Sequence, residues 1–386
     1  MIEPHPDLSV LTGSDRRPLS RRLGITVSVI GGLLLVGVVV LWPRSEDLPD
    51  LSEFGFATQV VTAEVTEVVE GSCSFAADLE CRRATFQLLE GPEAGSVTSE
   101  EWQLVPSSPV FQVGDRVVLN VVPEAPPLER YQFADRERRP VLVAVAAIFV
   151  GAVILLGKRK GLAAVAALAV SIWAVLVFIV PAILIGRPPE PVAIVGGGII
   201  ALTSIYLTHG WRNLTHVAAL GTFGAVTLTV AISALVTRLA DLSGFVSEEA
   251  SFIILLETVD LRGLILAGMV LGALGALDDV TITQASAVWE VNQANPALDR
   301  RQLAAAGMRV GRDHVAASVN TLLLAYVGAS LPLLLLFALS GLPLSVVANS
   351  EVVAVEIIRT LVGSIGLVAA VPLTTWLAAR VAAAGN

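Results

Sequence analysis

Val141-Leu142-Val143-Ala144-Val145-Ala146-Ala147-Ile148-Phe149-Val150-Gly151-Ala152-Val153-Ile154-Leu155-Leu156-Gly157 carries no charge and stops at Lys158-Arg159-Lys160, where the only two lysines of the chain sit. A second apolar run, residues 162–185, follows at once. Each run is near the ~20 residues that carry a helix across ~30 Å of hydrocarbon. Two such runs joined by a basic turn read as a pair of membrane-crossing helices with the turn in the cytoplasm. Downstream, residues 192–207, 214–239, 261–277, 315–339 and 353–379 repeat the pattern. Arg212, then Arg300, Arg301, Arg309 and Arg312, and finally Arg380 fall at ends expected inside; Arg187 is the main short-loop exception. Upstream, residues 23–42 form another run behind Arg16, Arg17, Arg21 and Arg22. A signal peptide would have an apolar core of only ~7–15 residues and a small-residue cleavage site. This run is longer and ends in Trp42-Pro43-Arg44, so it reads as an uncleaved anchor. The expected count is eight spans, both termini cytoplasmic.

Composition agrees. Of 386 residues, 54% are hydrophobic and 15% charged, with mean hydropathy +0.76, against roughly 25% charged in soluble domains. Residues 1–139 hold 12 Lys+Arg against 21 Asp+Glu, and residues 140–386 hold 13 against 13, so the net charge of −9 lies in the first third. No basic run suits a phosphate backbone, which argues against a nucleic-acid partner. The fold class expected is a polytopic α-helical membrane protein of about eight transmembrane helices. Its division is a cytoplasmic tail (1–22), an anchor (23–42), an extracytoplasmic β-rich domain (43–139) and a seven-span block (140–386).

The β-rich reading rests on alternation in residues 60–69, 85–89 and 116–122, punctuated by Gly91-Pro92, Gly95-Ser96 and Gly114-Asp115. Short strands at that spacing suggest a small antiparallel barrel or sandwich, OB-like in one form, that either binds a ligand or caps the membrane block. Cys73 and Cys81 lie in this region. They form either a small-loop disulfide or two free thiols, and spacing alone does not decide between them. No histidine or third cysteine is close enough in sequence to suggest a metal site.

A charge inside a span costs ~2.5–3.5 kcal/mol on insertion scales, so charged residues there draw attention. The inner group begins at Asp278-Asp279. If a helix opens at Asp279, then Thr283, Ser286, Glu290 and Gln293 follow on one narrow stripe, with Ile282, Ala285 and Trp289 on a neighbouring apolar face. Carboxylate, hydroxyl and amide oxygens on one face offer ligands for a small cation, or proton-accepting sites. The alternative is an interfacial amphipathic helix with the aspartates at its N-cap and first turn. Asn320 and Thr321 are expected at similar depth, facing the stripe; Asp313 and His314 are expected at the interface. The outer group is Glu248, Glu249, Glu257, Asp260 and Arg262, with Glu351, Glu356 and Arg359 at the start of the last span. Glu356 and Arg359 are i and i+3, and their pairing alone would explain both. Residues 248–258 read as an interfacial or re-entrant helix. Gly268 and Gly272 form a GxxxG that permits close helix contact.

No GxSxG, HExxH or CxxC occurs, so neither an enzyme activity nor a cofactor is expected. The strings Asp278–Glu290, Gly311-Arg312-Asp313-His314, Asn320–Tyr326, Leu242–Ala250, Glu356–Gly366 and Val371-Pro372-Leu373-Thr374-Thr375 resemble the YibE/F family of bacterial multi-spanning membrane proteins. The similarity covers most of residues 60–380. Asp278 and Gln284 depart from the family's usual residues, which makes Asp279 the better carry-over. The resemblance implies a multi-pass protein of the bacterial plasma membrane and little about mechanism.

The expected function is transport or channel-like passage of a proton or small cation. Asp279, Asp278, Thr283, Glu290 and Asn320 would form the inner site, and Glu257, Glu356 and Arg359 an outer gate or counter-charge set. The alternative is a non-transporting scaffold or sensor whose β domain binds an envelope partner. The lipid bilayer is the expected partner, and a homo-oligomer is compatible with the sequence.

Overall fold

Period-2 alternation becomes five strands in one unit, and long apolar runs become helices in the other. The computed structural model describes residues 17–44, 59–122, 125–126, 130–245, 250, 253 and 258–384, with side chains from residue 21 onward. The chain forms two compact units, Pro49–Ala152 and Met1–Leu48 with Val153–Asn386.

In the first unit, β1 (Gln59–Ser72), β2 (Glu80–Leu88), β3 (Val97–Gln103), β4 (Arg116–Val121) and β5 (Tyr131–Arg136) make one antiparallel sheet ordered β3-β2-β1-β4-β5. β1 is long enough to pair with β4 through residues 59–64 and with β2 through residues 63–72, and a bulge between Val65 and Glu67 bends it. The alternate residues Val61, Ala63, Val65, Ala84, Phe86, Leu88, Val117 and Leu119 are buried. Side chains such as Phe86 and Leu88 each contribute ~1.5–3 kcal/mol by burial. The rings of Phe86, Trp102, Phe111 and Phe133 meet mostly edge to face, with centroids 5.0–6.2 Å apart. The sheet curls until the edge strands β3 and β5 meet, where the Phe133 amide donates to Glu100 Oε2 at 2.6 Å. The result is an antiparallel half-barrel. The expected turns hold, with Gly91, Gly95 and Gly114 at φ of 93°, 87° and 92°, conformations open to glycine. Cys73 and Cys81 are joined as a disulfide, Cα atoms 4.8 Å apart.

The helical elements are α1 (Arg17–Leu41), α2 (Arg139–Ala174), a π-helical turn (Val175–Ile179), α3 (Val180–Leu184), α4 (Pro189–His209), α5 (Asn213–Leu239), α6 (Leu261–Ala294), α7 (Arg300–Ala329), α8 (Leu331–Leu339), α9 (Leu344–Asn349) and α10 (Glu351–Ala383). Among the described residues six helices are long and apolar enough to cross a membrane, or seven if α7 and α8, bent by 63°, count together. Eight spans were expected. The difference lies partly at residues 139–184, one 46-residue stretch broken at Lys158, whose φ of 49° and ψ of −124° are not helical. A Cβ on Gly161 would lie 2.2 Å from the Val153 carbonyl oxygen. In a straight helix those residues would be about 12 Å apart, so the chain turns back on itself there.

Two further expectations are corrected. No helix opens at Asp279: α6 runs unbroken over 34 residues, about 51 Å. The last turns of the expected 261–277 span simply continue, because α4, α5, α7 and α10 all pack around α6 and hold its glycine-rich middle helical. Likewise α7 begins at Arg300, ahead of the expected 315–339 span, with a reciprocal capping box between Asp299 and Gln302. α5 and α10 approach closely, since a Cβ on Gly366 would lie 2.2 Å from Thr229 Oγ1.

Candidate functional site

α6 is the most buried of the long helices, and two clefts open along it. The inner cleft, about 530 Å³, lies between α4 and α6; its walls include Ser171, Ser204, Thr208, His209, Asp278 and Asp279. Both aspartates sit near the middle of α6, so neither caps a helix. Asp278 is half-buried and Asp279 exposed. The Ser204 hydroxyl lies beside the Asp278 carboxylate, yet Asp278 Oδ1 is buried with no hydrogen-bond partner. Further along the same wall, the hydroxyl of Thr208 and Nδ1 of His209 are 2.6 Å apart.

The rest of the expected inner set is not drawn together. Thr283, Glu290 and Gln293 are exposed, Ser286 is half-buried, and none of them lines the inner cleft. The stripe does share one face, but that face points outward. The buried face carries Thr281, Gln284, Val288 and Asn292, because hydrogen-bonding groups on neighbouring helices await it there. Thr281 and Thr222 hydroxyls are 2.6 Å apart, and Gln284 Nε2 donates to Gly307 O at 2.9 Å and Thr375 Oγ1 at 2.6 Å. Asn320 and Thr321 on α7 are exposed and outside the cleft lining; the Thr321 hydroxyl donates to its own helix at Ala317 O. His314 Nε2 is buried without a partner. Among the described residues no group of three or more His, Cys, Asp or Glu could hold a metal ion.

The outer cleft, about 280 Å³, is walled by Gly244, Leu261, Ile265, Glu351, Glu356 and Arg359 among others. Glu351 is fixed by the Ser243 and Gly244 amides, both at 2.6 Å, and by the Ser243 hydroxyl. Asp260 caps α6 by accepting from the Arg262 amide, while the Arg262 guanidinium reaches Leu242 O and Asp241. Arg359 Nη1 donates to Glu356 Oε1 at 2.7 Å, each side chain about a quarter exposed. Arg359 Nε is buried and unpartnered. Its guanidinium lies over Gly268, and the Tyr326 hydroxyl lies over Gly272. The GxxxG therefore seats two polar heads on α6. Glu248, Glu249 and Glu257 lie outside the described residues.

The lining residues of both clefts fall within one stretch of chain. The family model described as YibE/F-like protein matches residues 145–384. This chain belongs to the YibE/F-like family. The YibE/F-like region thus takes in both aspartates, the Glu356–Arg359 pair and every helix from α4 to α10, while α1 and the half-barrel lie outside the matched stretch. No curated protein and no solved structure matches the chain.

Sequence reasoning missed Ser204, Thr222, Thr281, Gln284, Tyr326 and Thr375. One signal was present: Thr215, Thr222, Thr229, Ser233 and Thr237, spaced by sevens and fours, form a buried hydroxyl stripe along α5.

Proposed function

We propose that this is an integral membrane protein that passes a proton or small cation, with α6 as the common wall of two offset clefts. The observation that carries the reading is the buried, partnerless Asp278 oxygen at the inner cleft. A polar group held that way in an apolar block is costly unless a ligand or proton meets it. In this reading Asp278 is the principal inner group and Asp279 stands exposed beside it. Thr283, Glu290 and Asn320 serve only in approach. The Glu356–Arg359 pair is the outer gate or counter-charge set.

As one straight helix the 46 residues at 139–184 would rise about 69 Å, more than twice the hydrocarbon thickness. Counting it as two crossings on either side of Lys158, and α7 with α8 as one, gives eight spans. Lys/Arg placement then puts both termini in the bacterial cytoplasm and the half-barrel outside, where the Cys73–Cys81 disulfide suits an oxidising compartment. An OB-like form for the half-barrel is supported by the bent β1 shared between β2 and β4. The scaffold reading is favoured by one observation, the exposed Val97, Val105, Val110 and Val113 on the half-barrel, which an envelope partner would cover.

The test is ion flux in proteoliposomes of the full chain under an imposed proton, sodium or potassium gradient. Wild-type flux is expected, with loss in Asp278→Asn, retention in Asp278→Glu and a smaller effect of Asp279→Asn. No flux with any gradient, or full flux in Asp278→Asn, refutes the reading.

A further inference from the structure

A third cleft, about 610 Å³, lies between the start of α1 and the turn from α4 into α5, and it belongs to neither of the clefts on α6. Its polar lining is Arg21, Ser28, Arg212, Asn213 and His216, and among the described residues no carboxylate lines it. Neither guanidinium has an ion-pair or hydrogen-bond partner among the described residues. The cleft also receives the start of α5, a 27-residue helix whose first turn has no side-chain cap, leaving amide hydrogens for an anion.

His216 supplies the independent pointer to a ligand. It is 3% exposed, and its Nδ1 lies 2.7 Å from the Tyr206 hydroxyl. No other acceptor is recorded for that hydroxyl among the described residues, so its proton goes to Nδ1 and the ring proton sits on Nε2. Nε2 has no hydrogen-bond partner among the described residues, and the ring lines the cleft. Trp211 packs on the ring with centroids 4.6 Å apart. Gly24 of α1 faces this edge, where a Cβ would touch His216 Nε2 at 3.7 Å and Trp211 at 3.8 Å. On the α1 side, Ile25 and Val29 are apolar, and that face continues into the exposed Leu33 and Val36 of the same helix.

We propose that this cleft binds a phosphate ester, and specifically the phosphodiester headgroup of an acidic phospholipid. Arg21 and Arg212 supply charge, His216 Nε2–H and the first amides of α5 supply directed donors, and the apolar α1 face takes the acyl chain. The chemistry shared with free phosphate ends at the oxygens; the apolar half of the cleft selects the lipid. A basic pocket beside an exposed aromatic at a helix terminus suits the headgroup layer.

The test is native mass spectrometry of the full chain released from micelles containing equal palmitoyl-oleoyl phosphatidylglycerol and phosphatidylcholine. Wild type is expected to retain phosphatidylglycerol about tenfold over phosphatidylcholine. The Arg21→Gln/Arg212→Gln double variant should lose that preference. Gly24→Leu should lose it too, because it fills the cleft while keeping both cations, and it decides the matter if the double variant does not elute as a folded species. Arg238→Gln, at the far end of α5, should keep the preference. Equal retention of the two lipids by wild type, or an unchanged preference in folded Gly24→Leu, overturns the proposal. Displacement of phosphatidylglycerol by millimolar inorganic phosphate overturns the lipid assignment in favour of a free anion.

Discussion

Replacing Gln284 by methionine and by alanine separates hydrogen bonding from packing at the junction of α6, α7 and α10. Gln284 is 1% exposed, and its Nε2 donates to Gly307 O and Thr375 Oγ1. Methionine keeps the length and nearly the volume of the side chain. It strands nothing, because Thr375 still donates to Val371 O and Gly307 O sits inside a helix that already uses it. The loss should therefore be the net worth of two interhelical bonds, which average ~0.6 kcal/mol and reach ~1.7 kcal/mol each. That predicts about 1–3 kcal/mol for Gln284→Met. Alanine forfeits the same bonds and also leaves a void against Gly307 and Gly311, whose Cβ positions would lie within 3.6 Å of the Gln284 amide. The void should add roughly 2 kcal/mol. Reversible unfolding in mixed micelles, followed by helical circular dichroism, measures both. A methionine loss above about 4 kcal/mol, or an alanine loss no greater than the methionine one, would show that the junction is not held as described.

Two further predictions concern the half-barrel and the arrangement of the chain. Burial pushes the Glu100 carboxyl up from its usual value, against the lowering effect of the Phe133 amide. Its folded pKa thus lies above the unfolded one, so its contribution is full below the unfolded value and is lost as pH rises through the folded value. Wild-type residues 57–138 should lose stability relative to Glu100→Gln as pH rises above the ordinary glutamate value in urea titrations. Parallel pH profiles would refute the assignment. In a Cys73→Ser/Cys81→Ser background, Ser107→Cys should react with an impermeant thiol reagent from outside and Ala305→Cys from inside. Reaction of both from one side would overturn the eight-span arrangement.

How much of this was legible in the sequence differs by element. β1, β2 and β4 were visible because their inward residues are apolar and alternate. β3, Val-Thr-Ser-Glu-Glu-Trp-Gln, was not, because cross-strand charge holds it: Glu101 pairs with Arg83 and takes the Ser74 hydroxyl. The helices of the second unit were visible from hydropathy, and α4 and α5 match the expected runs to within a few residues. The continuity of α6 was not, because Gly272, Gly275 and the aspartate pair all lower local helix preference, and only the four surrounding helices override it. Polar residues occur on two faces of α6, so periodicity could group Asp279 with Glu290 and still not say that Gln284 would be the buried side. The hydroxyl stripe of α5 was the readable clue to that interior. Asp278, ranked behind Asp279 on resemblance, is the aspartate with the buried oxygen.

The reversal at Lys158 bears on how the polypeptide is assembled. In the membrane reading proposed above, Lys158, Arg159 and Lys160 would together cost on the order of 7–10 kcal/mol to drag through the bilayer centre. The tip therefore stays on the side where it is synthesised, and the runs on either side of it enter from that side. Gly161 lets the backbone close against Val153 at the tip before any later helix exists. Since each following helix must start where the previous one ended, the sidedness of this one turn is inherited by every segment made after it. Moving the three cations, with the rest of the chain untouched, would invert the insertion of the whole remaining bundle or stall it during synthesis.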